Sequence, residues 1–177
     1  MDVRLLVFSL VLVVVTGFPH QRRCSMSRYQ SVSSADIRVI RQLQNEHEKD
    51  MSTSAIKCYR RMMRPKPSVC DLMPSDRLIF ILEQVSQTLD VLQSKSMSGA
   101  TDLGSQSLMI FLKLRDDLTI CKESSEISET PSDELKAWFH HLQHFKDVES
   151  SQCLQDAVLL GLIPLMVQDV GCWVHGN

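Results

Sequence analysis

The sequence lacks the short motifs on which most enzymes and nucleotide-binding proteins depend. It contains no GxSxG nucleophile elbow, no GxxxxGK[ST] phosphate loop, no GxGxxG turn and no HExxH pair. It also has no CxxC pair, which gives a zinc ribbon or a thioredoxin-like site little support. The net charge is only −2, so there is no general attraction to nucleic acid or to an anionic membrane. We therefore expect no enzymatic activity, no cofactor, no nucleic-acid partner and no membrane insertion.

Long hydrophobic runs are scarce, and the longest lies at the N-terminus. Residues 5–15 are apolar except for Ser9, and they follow Arg4. This length is typical of a secretory signal, since a membrane-spanning helix needs about 20 apolar residues. Small residues at Val15 and Gly17 predict cleavage before Phe18. We expect a signal peptide at 1–17 and one secreted, extracellular domain at 18–177, with an uncleaved membrane anchor as the alternative.

Cysteine is present in an even number beyond the expected cleavage site. In an oxidising compartment, six cysteines favour three disulfides, although they allow about fifteen connectivities. They are Cys24, Cys58, Cys70, Cys121, Cys153 and Cys172. Their wide spacing predicts disulfides that link distant elements packed around a hydrophobic core.

Apolar residues recur at steps of three and four through most of the remaining chain, which is the spacing of amphipathic helices. In the first helix this stripe includes Ile40, His47 and Met51. No strand-like alternation appears, and the pattern predicts an all-α bundle. The predicted helices cover residues 35–51, 75–92, 107–121, 135–145 and 150–170.

The residues between these stripes predict where helices begin and end. Ser33 with Asp36 resembles a capping box, and Thr130 followed by Pro131 predicts a cap for the fourth helix. Pro164 predicts a kink or a break in the last helix. Residues 94–105 and 122–131 are predicted exposed connections. Residues 52–75, with three prolines and two cysteines, predict a long loop held by disulfides.

The segment LKAWFHHLQHF (135–145) combines an apolar stripe with three histidines. His140 and His144 stand at i and i+4, a spacing that can hold zinc on a helix face. A further ligand is missing from the local sequence, so we interpret the three histidines as the exposed face of the helix, solvated or facing a partner. The opposite, core-facing stripe consists of Leu135, Trp138, Phe139, Leu142 and Phe145.

Four segments together resemble a known family. LKAWFHHLQ (135–143), ESSQCLQDAV (149–158), CSMSRYQSVSSADI (24–37) and LEQVSQTLDVL (82–92) are similar to segments of the type III, or lambda, interferons, in the same order. The resemblance identifies a class II helical cytokine. It implies an up-down helical bundle of the interferon and interleukin-10 type. It also implies antiviral signalling through a heterodimeric class II receptor and the JAK–STAT pathway.

The resemblance implies a set of disulfides as well. The family pairs carry over as Cys24–Cys121 and Cys58–Cys153, which leaves Cys70 and Cys172 for a third pair. The third pair departs from the lambda interferons, in which it lies within the C-terminal region.

Receptor-binding positions also follow from the resemblance. The private, high-affinity receptor chain is met in the family by the first helix, the loop after it and the last helix, and the shared, low-affinity chain by the first and fourth helices. The implied positions are Arg41, Cys70 with Asp71, Leu160 and Ile163 for the private chain, and His140, His141 and His144 for the shared chain.

Two departures leave the receptor open. Cys70 replaces a family tryptophan, and Leu160 and Ile163 replace two phenylalanines. Aromatic anchors are often the hot spots of an interface, so their absence here leaves the identity of the receptor open. The alternatives are a type IV interferon, a divergent type I interferon or an interleukin-10/22-like cytokine. A more remote alternative is a secreted metal-binding protein that uses His140 and His144.

Overall fold

Six helices make up most of the part of the chain that the structure describes. This structure is a computed structural model, and it describes residues 24–56, 58, 66–97, 101–124 and 130–176. No strand occurs in these ranges, and the predicted all-α fold is confirmed. The predicted signal peptide at 1–17 and part of the predicted loop at 52–75, namely residues 57 and 59–65, lie outside the described residues. The helices are α1 (Ser34–Thr53), α2 (Pro74–Met97), α3 (Asp102–Ser124), α4 (Asp133–Val148), α5 (Ser151–Leu160) and α6 (Leu162–His175).

Serine side chains cap three of the helices. Ser33 Oγ accepts from the amide of Ala35, so Ser33 caps α1 as predicted. A capping box would require a bond to the amide of Asp36 instead. The predicted start of α4 was wrong. Ser132, not Thr130, caps that helix by accepting from Leu135, because the buried carboxylate of Asp76 accepts from the Ser132 amide at 3.1 Å and fixes the chain there.

The predicted connection at residues 94–105 was too long. Helix α2 continues to Met97, and α3 begins at Asp102. The added turn includes Lys95, whose Nζ lies 3.5 Å from His47 Nδ1 of α1. Thr101 caps α3, with its hydroxyl accepting from the amide of Gly104. The predicted loop at 122–131 is likewise shorter at its start, because α3 runs to Ser124.

Helix α2 lies at the centre of the core. It packs against α3, α5 and α6, while α1 packs against α3, α5 and the start of α6. Leu78, Ile81 and Val85 form an apolar stripe at steps of three and four along α2, and all three are fully buried. Phe80 is fully buried too, although it lies off that stripe, because α2 is covered on more than one side. The ring of Trp138 on α4 packs on Phe80 at a centroid distance of 4.5 Å.

The last predicted helix is two helices that meet at a bend of 44°. The bend lies at Gly161, three residues before the predicted position Pro164. Proline cannot donate to the carbonyl of Leu160. That carbonyl and the one of Leu159 both accept from Gln44 Nε2 of α1 at 2.9 Å. Beyond Pro164 the backbone forms a π turn, Leu165–Asp169, before regular helix resumes at Val170.

Three disulfides tie distant elements together: the two pairs that the resemblance implies, and the pair of the two remaining cysteines, Cys70–Cys172. Their Cα atoms lie 4.4–5.2 Å apart, and each bridge closes a loop of about a hundred residues. Cys24–Cys121 holds the N-terminal segment on α3, Cys58–Cys153 holds the loop after α1 on α5, and Cys70–Cys172 holds the end of that loop on α6.

Among the described helices, no single one is long and apolar enough to cross a membrane. The bent pair α5 and α6 passes the same test only by length and composition, and residues such as Leu159, Leu162 and Val170 in this pair are buried in the core.

Candidate protein-binding surface

A groove of about 920 Å³ runs between the loop that precedes α2 and the outer side of α6. Three separate parts of the chain form its walls: the 3₁₀ turn with the start of α1, the loop residues 66–70, and α6. We call it the loop–α6 groove. Its apolar and cystine lining includes Tyr29, Ile37, Val69, Cys70, Val167 and Cys172.

The loop wall of this groove is held in place by α2. The Arg77 guanidinium donates to the carbonyls of Leu72 and Cys70 at 2.8 Å, and to that of Gly176 at 3.2 Å. One side chain therefore bonds both the loop and the C-terminal end of α6, next to the Cys70–Cys172 bridge. These bonds give the groove a defined shape before any partner arrives.

Tyr29 forms another part of the groove wall. Its hydroxyl donates to Asp117 Oδ2 of α3 at 2.9 Å. Burial, and then the bond to Asp117, raise the pKa of Tyr29 far above its usual range. The side chain is therefore a neutral phenol at every physiological pH, and it is a fixed wall rather than a titrating group.

The residues predicted to bind the private receptor chain do not all lie on one surface. Arg41 is exposed on α1 and lines a shallow cleft with Ile37, which also belongs to the loop–α6 groove. Cys70 lines the groove, and the exposed Asp71 follows it in a turn. Leu160 instead lines a second cavity of about 530 Å³ together with Trp138 and Phe145. The structure thus brings Cys70 next to α1 and α6, but not next to Leu160.

Sequence reasoning missed the exposed apolar residue of α6. Ile163 is half-buried and packs against the core, whereas Val167 is 50% exposed and lines the groove. Val167 stands four residues after Ile163, so helical spacing was the signal that could have found it. The α6 wall also includes Pro164, Gln168, Asp169, Gly171 and His175.

The three histidines of α4 form a separate surface. His140, His141 and His144 are all exposed, and none of them lines the loop–α6 groove. The stripe opposite them is directed inwards, with Leu135, Leu142 and Phe145 buried. In the described part of the chain no three His, Cys, Asp or Glu side chains are grouped as a metal site would require. What α4 offers is an exposed helix face.

Comparisons with known proteins cover almost the whole chain. A family model described as Interleukin-28A matches residues 21–176. Interferon lambda-3 from Gallus gallus is 24% identical over 171 residues, which are 95% of this chain and 91% of the relative. Interferon lambda-3 from Mus musculus is 23% identical over 156 residues, which are 87% and 81% of the two chains. The family match includes every segment that lines the loop–α6 groove.

Proposed function

From the premise that the chain belongs to the interleukin-28A family of lambda interferons, we propose that it signals by binding a heterodimeric class II cytokine receptor and activating the JAK–STAT pathway. It is a helical cytokine of the lambda interferon type. The biological outcome that follows from this activity is an antiviral state in the responding cell.

The observation that carries the proposal is the loop–α6 groove. It joins α1, the loop after α1 and the last helix, which are the three segments that the family resemblance assigns to the private receptor chain. Ile37, Cys70 and Val167 meet there and form an apolar centre, and such a centre with a polar rim is typical of protein interfaces. We place the private chain on this groove and on two exposed residues beside it: Arg41, which lines an adjoining cleft with Ile37, and Asp71, which follows Cys70. Leu160 lines the second cavity and Ile163 packs against the core, so we do not place them in the groove.

The exposed face of α4 supports a second contact. His140, His141 and His144 present polar, solvated side chains on a helix fixed to the core by Trp138 and Phe80. We propose that the shared, low-affinity receptor chain docks on this face. A shallow polar surface suits a weak contact, because it offers no buried aromatic anchor.

Secretion is part of the proposal. Residues 1–17 would direct the chain to the export pathway, and residues 18–177 would form the mature domain. The three disulfides support this, because structural disulfides form and persist mainly in oxidising compartments.

A binding and signalling experiment tests the proposal. The oxidised mature protein is titrated against a panel of recombinant class II receptor ectodomains and applied at nanomolar concentration to cells of its own species. We expect one ectodomain to bind tightly, and STAT phosphorylation to follow within minutes. Absence of both binding and phosphorylation, with protein that is correctly folded by circular dichroism, contradicts the proposal.

A charged substitution locates the private-chain site. Val167→Asp places a carboxylate in the exposed centre of the groove, and we expect affinity for the private chain to fall at least about tenfold, or about 1.4 kcal/mol. Met109→Asp is the matched control, because Met109 is 66% exposed on α3 and does not line the groove. Equal losses in both variants would remove the groove from the site. Ile163→Asp is a poorer probe, since Ile163 packs against the core.

A further inference from the structure

Asp169, the last residue of the π turn in α6, is a buried carboxylate with two partners from other parts of the fold. It is 7% exposed, and its Oδ2 accepts from Lys66 Nζ of the loop and from Gln84 Nε2 of α2, the latter at 3.2 Å. The sequence separation is 103 residues to Lys66 and 85 to Gln84. Three elements therefore meet at one carboxylate.

The π turn is what supplies this geometry. It adds a residue to one helical turn, and π turns of this kind often occur at functional positions. Val167 and Gln168 are exposed on the groove, while Asp169, directly after them, is buried at the base of the same groove. The turn therefore places two side chains where a partner can reach them and a third in contact with the loop and α2.

Lys66 connects this anchor to the binding surface. It lines both the loop–α6 groove and the second cavity, and its Nζ lies 5.6 Å from the centre of the Phe80 ring. Lys66 bonds Asp169 of α6, and Arg77 of α2 bonds the carbonyls of Cys70 and Leu72 in the same segment. Residues 66–72 are therefore in contact with two helices at separate points.

We propose that Asp169 and Lys66 are a positioning pair that fixes the loop wall of the receptor-binding groove. Neither group is required to touch the receptor. The pair holds residues 66–70 against α6 in the free protein. The loop therefore loses its conformational entropy during folding, and this loss does not weaken receptor binding. This inference rests on the proposed function for its consequence in receptor affinity, but the ordering of the loop is a property of the free protein.

Hydrogen exchange on the free, oxidised protein tests the ordering directly. The reporters are the amides of Asp71 and Leu72, which bond the carbonyls of Ser68 and Val69. Lys66→Met removes the cation, and Asp169→Asn weakens the acceptor. We expect each variant to lower protection of these amides about tenfold, and the double variant to lower it no further, because both changes break one contact. Lys66→Arg keeps the charge and should retain protection close to that of the wild type.

A matched control removes a comparable ion pair elsewhere. Lys146 Nζ of α4 lies 3.4 Å from Glu83 Oε1 of α2. The two lysine side chains are similarly exposed, 29% for Lys146 and 34% for Lys66, whereas Glu83 is more exposed than Asp169. Lys146→Met should leave the protection of Asp71 and Leu72 unchanged. Unchanged protection in Lys66→Met, or additive losses in the double variant, would overturn the inference.

Receptor binding then measures the consequence. We expect Lys66→Met and Asp169→Asn to raise the Kd for the private receptor chain about five- to tenfold, while Lys66→Arg and Lys146→Met leave it close to that of the wild type. If the wild-type protein binds no class II receptor, the proposed function fails, and the exchange experiment still decides whether the pair orders the loop. Lower protection with an unchanged Kd overturns the role in binding.

Discussion

His47 occupies a position of α1 at which the helical stripe favours an apolar side chain, and it is buried to 3% exposure. Its Nε2 lies 2.9 Å from Asp156 Oδ1 of α5, although the two atoms are not aligned as a hydrogen bond. Its Nδ1 faces Lys95 of α2 at 3.5 Å. Burial first, and then the charge of Lys95, lower the pKa of His47, while Asp156 and Asp50 act in the opposite direction. The imidazole is therefore neutral in the folded protein at neutral pH.

This depressed pKa predicts a loss of stability in acid. The unfolded chain binds a proton at His47 near its ordinary pKa of 6.5, and the folded chain does so only at lower pH, so the unfolded state binds more protons between the two values. The stabilising contribution is complete above pH 6.5 and falls as the pH drops towards the folded-state pKa. We expect the urea midpoint of the wild type to decrease from pH 7.5 to pH 5, and His47→Gln to show a flatter profile.

The control for this experiment is His144→Gln, because His144 is exposed on α4. Its profile should run parallel to that of the wild type. If the His47→Gln profile also runs parallel, His47 does not contribute to the pH dependence.

At the scale of helices, the break between α5 and α6 depends on a side chain from α1. Gln44 Nε2 donates to the carbonyls of Leu159 and Leu160, which lie 115 and 116 residues later in the sequence. One of these carbonyls lacks its usual helical donor because residue 164 is proline. Gln44 thus allows the last helix to bend at Gly161, and the bend directs α6 along α1 and α2.

Removal of this amide should destabilise the fold. We expect Gln44→Ala to lower the free energy of unfolding by about 1–3 kcal/mol in urea titrations, because two partly buried carbonyls lose their donor. In a Pro164→Ala background the cost should fall by roughly half, since that substitution restores a backbone amide that can serve Leu160. Gln42→Ala, an exposed change on the same helix, should stay within about 0.5 kcal/mol. Equal costs in both backgrounds would show that Pro164 and Gln44 are not coupled.

For the whole molecule, the three disulfides are almost equal in the length of chain that they close. Their sequence separations are 97, 95 and 102 residues. The loop-closure entropy removed from the unfolded chain is therefore nearly the same for each. Their consequences for binding should still differ, because only Cys70 and Cys172 line the loop–α6 groove.

Paired cysteine-to-serine variants separate these two effects. We expect Cys70→Ser with Cys172→Ser, and Cys24→Ser with Cys121→Ser, each to lower the free energy of unfolding by about 2–4 kcal/mol. Only the first pair should also weaken binding to the private receptor chain, when both are measured under conditions where the protein remains folded. If the two pairs of substitutions weaken binding equally, the Cys70–Cys172 bridge stabilises the fold and has no separate role in binding.

Features that depend on near neighbours in the chain can be predicted from the amino-acid sequence. The apolar steps of three and four in α1 to α4 predict the helices, because one face of a helix is defined by spacing alone. Ser33 was recognised as a cap for the same reason, since it bonds an amide two residues away. The segments similar to lambda interferons were likewise visible as local patterns, and the family match agrees with them.

Features whose partners are distant in sequence depend on contacts that form when the helices pack together. Ser132 became the cap of α4 because Asp76 fixes its amide, and Phe80 is buried because α2 is surrounded by other helices. The bend at Gly161 depends on Gln44, and the loop–α6 groove depends on where Cys70, Lys66 and Val167 come together. Local spacing cannot specify such contacts, because packing of the whole core sets which faces meet and which buried polar groups find a partner.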